Sequence, residues 1–501
     1  MLAIQKKMTN TFYALLSLPA TAVGFCLSTQ VAALSWILST KYELQIEDVA
    51  LVWLAGPLSG IIAQPIVGMM SDKSWFMGGR RKPFIIIGGI LGAVMLLALP
   101  QMDLITEYTG LSIFAVAIMV SLLLDMNVNV TMNPARSIIA DVTKPGSERP
   151  KGYSRMQLVS GSFGVGAYFI SVSFGNITLI YLAAVLVLLF SVVPVLFVKE
   201  PRILQQEISE QLNPKAKSSI PESLKVLLPL YGFAAFAIFI IINHLFLGGS
   251  WSLWQTDVMF ACLIATLIIG IRIFIKARKH SNDKLEFQKI LLAHAFTWLG
   301  IQSMFIMCFF YINENMIPGM NTENALANQL STFFTGAAAS NESTAGNVLS
   351  LGFLFLNLVG ALLPALILEP LSLRIGKVKV YRSAIAFMCA GYFYLYLAGS
   401  QELNFYLGMI ICGIGWSAAI SIVFAIMSEK VNAGKMGLYM GIFNFSVVLP
   451  AMMTPGMAGI IEESGDSSIL FLMIACSLFL SLICWMTVKE EKSKNDIIHT
   501  I

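Results

Sequence analysis

Charge is the scarcest property of this sequence. Asp, Glu, Lys and Arg make up 12% of its 501 residues, about half the ~25% of an ordinary soluble protein. With 57% hydrophobic residues, that scarcity excludes a soluble domain and predicts a polytopic membrane protein. Cysteine patterning is equally sparse. The seven cysteines all lie in apolar runs, with no CxxC pair and no Cys/His cluster, so neither a disulfide framework nor a metal site is expected. There is no nucleophile–base pair and no phosphate-binding loop, which argues against an enzyme. No nucleic-acid partner and no organic cofactor are expected. The first apolar segment follows Lys6 and Lys7 and runs to about residue 38. It is too long for a signal-peptide core, shows no convincing cleavage site, and reads as a first membrane helix.

What is present is a succession of apolar runs, each long enough for about 30 Å of hydrocarbon. They fall near 12–38, 48–71, 83–101, 111–140, 152–172 and 176–198, then near 226–247 and 255–276. Six more lie near 290–312, 348–368, 380–399, 403–428, 437–461 and 467–488, giving fourteen predicted spans. Basic residues orient them. With the N-terminus in the cytoplasm, Lys41 is the only basic residue in an outward loop and the other 31 of 32 face inward. The outward loop 313–347 contains none. Both termini are therefore predicted to be cytoplasmic, in a plasma membrane of the bacterial inner-membrane type.

The organisation reads as six, two, six: an N-terminal half over 1–205, a polar linker with two extra helices over 206–285, and a C-terminal half over 286–501. A hairpin of two helices leaves the orientation of the second half unchanged. A weak internal repeat relates the halves. "PARSIIADV…GYSRMQLVSGSFG" (134–164) and "AAISIVFAIMSEK…GLYMGIFNFSVVLP" (418–450) share an acidic helix end, a basic loop and a Gly-aromatic pair.

The loop "GMMSDKSWFMGGRRKP" (68–83) places Asp72 before Arg80, Arg81 and Lys82. An acid near a helix C-terminus needs basic partners, and such pairs can latch one conformation and release in another. Arg136 and Asp141, at the end of the fourth run, are further candidates for this latch. The loop resembles the signature between helices 2 and 3 of the major facilitator superfamily. "WLAGPLSGIIAQPIVGMMSD" (53–72), "LLLDMNVNVTMNPARSIIADV" (122–142) and "GLYMGIFNFSVVLP" (437–450) look like the sucrose-transporter branch of the glycoside–cation symporters. The resemblance covers both six-helix halves and leaves out the two central helices. It implies an all-α membrane protein of major facilitator fold that takes up sucrose, maltose or another glucoside with protons. One departure is Asn133-Pro134-Ala135-Arg136, where bacterial relatives tend to have Glu-Pro-Phe-Arg.

Within the fourth run, Asp125, Asn129, Asn133 and Arg136 fall within about an 80° stripe of a helix, with Asn127 opposite. Arg136 lies about 16 Å from Asp125 along the axis, so the stripe is a polar track from midplane toward one face. A charged carboxylate at mid-bilayer costs about 2.5–3.5 kcal/mol on insertion scales. No other acid lies comparably deep and no basic residue lies at midplane. Such a lone group suits loading and releasing a proton, and Asp125 is the predicted proton-coupling residue. H⁺ is the expected coupling ion, since a sodium site prefers several oxygens; Na⁺ stays as the alternative. The absence of a midplane cation argues against anionic substrates and for a small neutral sugar.

Sugars need planar amides for their hydroxyls and aromatic faces for their C–H surfaces. Candidate binding residues are Gln30, Gln64, Asn129 and Gln157 in the first half and Trp298, Gln302, Asn357 and Asn444 in the second, with Trp298 and Gln302 on one helix face. Each of these could instead serve as a helix–helix hydrogen bond. Pro134 predicts a freed carbonyl near Val130. His244 and His294 read as interfacial groups near helix ends. The expected protein is a monomeric disaccharide–proton importer in a lipid bilayer. Export of a sugar or drug by proton antiport, and a transporter-like sugar sensor, stand beside it.

Overall fold

A computed structural model of the chain describes residues 9–54, 56, 59–60, 63, 66–67, 70–71, 75–142, 148–200, 225–246, 253–280, 282–336, 341–428, 430 and 436–489. Among them the backbone is helical, with one isolated antiparallel bridge between Phe76 and Gly79. Apolar segments in lipid must satisfy every N–H and C=O internally, and helices do so within one segment. Among the described residues, eleven helices are long and apolar enough to cross a bilayer.

The helices of the first half are α1 (Asn10–Thr40), α2 (Ile46–Trp53), α3 (Lys82–Ala98), α4 (Met102–Thr109), α5 (Ile113–Val142), α6 (Glu148–Phe174) and α7 (Asn176–Leu196). Next come α8 (Tyr231–Phe246), α9 (Leu253–Lys279), α10 (Asp283–Tyr311), α11 (Leu326–Thr335) and α12 (Asn341–Leu363). The last are α13 (Glu369–Ile375), α14 (Lys377–Ala398), α15 (Glu402–Ala419), α16 (Ile422–Ser428), α17 (Met436–Ala451), α18 (Thr454–Ser464) and α19 (Ile469–Met486). Thr9 starts α1 by accepting the Phe12 N–H at 3.2 Å, an ordinary N-cap. Gly110 ends α4 at φ 70°, a left-handed conformation that costs glycine nothing.

Two compact units divide the chain: Met1–Lys215 with Phe305–Asn357 and Ser400–Tyr406, and Ala216–Met304 with Leu358–Gly399 and Leu407–Ile501. In the first, α1 packs on α5, α6 and α7, and α3 packs on α5 and α7. Small residues bring α3 close. A Cβ at Gly88 would run into Thr131, and one at Gly89 into Ser191, the usual device for dense packing in lipid. Phe12, Leu16, Ile85, Ile138, Met156 and Val195 close one end of this unit in an apolar cluster.

The same unit holds part of the second half against these helices. Ser35 Oγ donates to Ile306 O at 2.9 Å, and the Ser171 and Ser350 hydroxyls lie 2.5 Å apart. The stretch 313–347, expected as loop, contains the ten-residue α11. Its first N–H groups, at Leu326 and Ala327, donate to the Glu402 carboxylate at 2.9 and 3.1 Å. A carboxylate at a helix N-terminus satisfies orphan donors and the dipole together. The sequence pattern around α11 hid that partner, which lies 75 residues further on.

In the second unit α14 packs along α19. Arg382 crowns that helix, donating from Nε to Trp485 O at 2.9 Å and from Nη2 to Val488 O at 2.5 Å. Thr297 and Ser481 hydroxyls meet at 2.7 Å. Lys289 Nζ, 3% exposed, sits 2.7 Å from Glu286 Oε1, 6% exposed, and also donates to Thr487 O at 2.6 Å. The helices α8 and α9 pack on each other through Gly232, whose missing Cβ makes room for Thr266. Met259 of α9 and Phe236 of α8 press on Gly456 of α18.

Candidate functional site

Asp125 lies in the middle of α5, 7% exposed. Its Oδ1 accepts a hydrogen bond from Gln30 Nε2 of α1 at 3.1 Å. One turn on, Asn129 Nδ2 donates to the Asp125 carbonyl at 2.9 Å and to Ser59 Oγ at 2.8 Å. On the Ser59 side two glycines lie close against this pair. A Cβ on Gly56 would stand 3.2 Å from Asp125 Oδ2, and one on Gly60 3.5 Å from Asn129 Oδ1. Among the described residues no cation pairs with Asp125. The cluster is therefore a carboxylate with one amide donor on one oxygen and a second oxygen facing a glycine.

Burial varies along the predicted stripe. Asp125 and Asn129 share a buried face, Asn133 is half-buried, and Arg136 is exposed. Arg136 and Gln157 line a small cavity of about 70 Å³ with Gly24 and Ser160. Asn127 faces the other way, among Gly88, Gly92 and Ser191. Asn357 Nδ2 donates to Phe353 O at 2.9 Å, and Asn357 also meets the Tyr168 hydroxyl, which reaches Ser28.

In the second unit Trp298 Nε1 donates to His294 Nε2 at 2.8 Å. The imidazole stacks on Phe443 with centroids 4.4 Å apart, and Trp298 stands edge-on to Trp416 at 6.1 Å. His294 is thus no interfacial group near a helix end. It is 1% exposed inside α10, because an imidazole that accepts from an indole and stacks on a phenyl ring tolerates burial. The His244 side chain lies outside the described residues. Gln302 and Asn444 are half-buried in their helices.

The basic loop is held by an acid outside the predicted latch. Glu200, just beyond α7, accepts the backbone N–H groups of Arg80 and Arg81 at 2.7 and 2.8 Å through one oxygen and that of Lys82 at 2.8 Å through the other. Arg81 Nη1 donates to Ser71 Oγ at 2.7 Å. Asp72, Gln64 and the side chain of Asp141 lie outside the described residues. Glu200 could have been suspected from its place at a helix end, in "KEPR". Trp416, Tyr168, Ser59 and Gly56 carried no such signal, since each gains its meaning from a neighbour distant in sequence.

Comparison with known proteins adds three findings. The family model "Major Facilitator Superfamily" matches residues 16–311 and 303–499. A general alpha-glucoside permease of Schizosaccharomyces pombe is 36% identical over 105 residues, 20% of this chain and 19% of that protein. A sucrose transport protein of Arabidopsis thaliana is 31% identical over 132 residues, 24% of this chain and 26% of that protein. The matched stretches thus span about a fifth to a quarter of these curated relatives. Among solved structures, the inward-open xylose transporter XylE from E. coli covers 97% of this chain, with 97% of that chain matched, at a TM-score of 0.61 and 12% identity. The nucleoside transporter NupG covers 96%, with 100% of that chain matched, at a TM-score of 0.58 and 12% identity. At such identities the likeness concerns the fold.

Proposed function

This chain belongs to the Major Facilitator Superfamily, and from that premise we propose that it imports a neutral disaccharide or glucoside by proton symport. It is an integral membrane transporter and not an enzyme. The observation that carries the finer reading is the Asp125 cluster. A buried carboxylate with an amide donor from Gln30, a glycine close against its second oxygen and no paired cation among the described residues suits a group that takes up and releases a proton. Asn129 and Ser59 extend the same cluster with donors and acceptors matched to hydroxyls. The named sugar permeases among the relatives support sugar as the substrate class.

In this reading, protonation accompanies sugar loading and neutralises the site, after which two six-helix halves rock about a midplane site as in such folds. Release of the proton toward the cytoplasm resets the carrier. Fourteen spans, cytoplasmic termini, a plasma-membrane location and a monomeric carrier belong to the same proposal, as does the division at 1–205, 206–285 and 286–501. Asp72, Arg80, Arg81, Lys82, Arg136 and Asp141 serve in it as the inner latch. Trp298 supplies an aromatic face, and Gln64, Gln157, Gln302, Asn357 and Asn444 supply hydrogen bonds.

Uptake of a panel of labelled disaccharides by cells making the protein tests this directly. Accumulation of at least one glucoside that collapses with a protonophore is expected. Accumulation that depends on Na⁺ and survives the protonophore, or protonophore-sensitive efflux, would overturn it.

A further inference from the structure

None of the described residues bonded to Asp125 belongs to α8 or α9, and the basic end of α9 borders a cavity of about 390 Å³. Four cations ring it from three stretches of chain. Lys225 precedes α8, Arg272 and Lys276 lie one turn apart on α9, and Lys284 lies in the first turn of α10. All four residues are exposed, and among the described residues none is in an ion pair. Among the described residues no acid lines the cavity, and Glu286 is paired with Lys289.

The floor has the opposite character. Ile273 and Leu285 are buried and cluster with Ala277 and Ile269. The walls are tied together, since Gln288 Nε2 donates to Lys225 O at 2.8 Å and joins α10 to the entry of α8. Asn282 Oδ1 accepts the Leu285 N–H at 2.9 Å and fixes the start of α10. The outer face of α9 is greasy, with Ile264, Ile268, Ile271 and Ile275 at 47–56% exposure. That is the face of a helix that meets acyl chains. Arg272 stands seven residues, about 10 Å, before Lys279 at the helix end, where hydrocarbon gives way to headgroups.

A cationic rim over an apolar floor, beside a lipid-facing helix, matches one chemistry: an amphiphile with an anionic head. A phosphodiester would sit among the cations while its first methylenes rest on Ile273 and Leu285. Inorganic phosphate would use the rim and leave the floor idle. We propose that this cavity holds the phosphodiester headgroup of an anionic phospholipid, with Arg272 and Lys276 as its chief contacts, and that the central pair anchors the carrier in an anionic leaflet. Basic pockets among transmembrane helices recognise such heads through charge, and long Lys and Arg side chains reach them by snorkelling.

The test uses the full chain, purified in detergent and delipidated, with phosphatidylglycerol or phosphatidylcholine added and bound lipid counted by native mass spectrometry. Phosphatidylglycerol is expected to bind preferentially. Its affinity is expected to fall about fivefold for each cation removed, hence about 25-fold in Arg272→Gln/Lys276→Gln. Arg374→Gln/Lys379→Gln, which removes two exposed cations elsewhere, should bind like wild type. Size-exclusion and circular dichroism check each variant. Should the double variant fail to fold, Lys276→Gln alone carries the fivefold expectation. Equal losses in both double variants would mean diffuse attraction and would overturn the proposal. So would displacement of the lipid by inorganic phosphate, or equal binding of the two lipids.

Discussion

At the scale of single residues, the proposed proton coupling turns on what surrounds Asp125. Asp125→Asn keeps the shape and accepts from Gln30 as before, but it cannot release a proton. It should lose accumulation against a gradient, retain sugar-for-sugar exchange in proteoliposomes, and show a flattened pH dependence. Gly56 is the second lever. A methyl there stands 3.2 Å from Oδ2, and overpacking of this order costs about 1–3 kcal/mol. Gly56→Ala should therefore lower uptake on the order of tenfold at unchanged protein level, while Gly166→Ala, where the added methyl meets nothing within 4 Å, should not. Wild-type uptake by Gly56→Ala would show that the close packing of Gly56 on Asp125 is dispensable for transport. The buried Lys289–Glu286 pair predicts a stability effect. Glu286→Gln strands a cation that is 3% exposed, a loss of about 3–5 kcal/mol in other buried pairs. A thermal-unfolding scan in detergent should show a clear drop, and an unchanged midpoint would remove the pair from the account of stability.

At the scale of elements, what could be read in advance follows physical range. Asp125 announced itself because a charge in an apolar run has few explanations, and Asn127 could be placed opposite it from 100° per residue alone. The bond to Gln30 spans 95 positions and the bond from Asn129 to Ser59 spans 70, and no periodicity reaches that far. Glu200 and Glu402 were obscure for the same reason: each cradles backbone N–H groups of a segment 75 or more residues away. The hydropathy boundary puts His294 near a helix end, whereas α10 begins at Asp283, eleven residues earlier. One contact here is a ready target. With the Ser171 and Ser350 hydroxyls 2.5 Å apart, a Ser171→Cys/Ser350→Cys pair on a cysteine-free background should cross-link under oxidation. Uptake should then stop and return on reduction. Full uptake by the cross-linked carrier would mean that this contact does not open during transport.

At the scale of the whole molecule, charge asymmetry and the central helices make a topological prediction. On a cysteine-free background, cysteines at Thr109 and within 247–252 should be labelled from outside, and one at Asn282 only from inside. Labelling of 247–252 and Asn282 from the same side would rule out two central spans. Replacing 223–280 by a flexible linker should leave sugar uptake measurable while abolishing selective binding of phosphatidylglycerol, because the sugar cluster and the basic cavity share no residue. The central claim, that sugar and proton move together through Asp125, is tested most directly with purified carrier in proteoliposomes. There, adding the transported glucoside outside, without any imposed gradient, should make the weakly buffered medium more alkaline. Wild type should show that alkaline shift in proportion to sugar uptake, and Asp125→Asn should show none while still exchanging sugar. Sugar uptake by wild type without proton movement, or an undiminished proton signal from Asp125→Asn, would contradict the account.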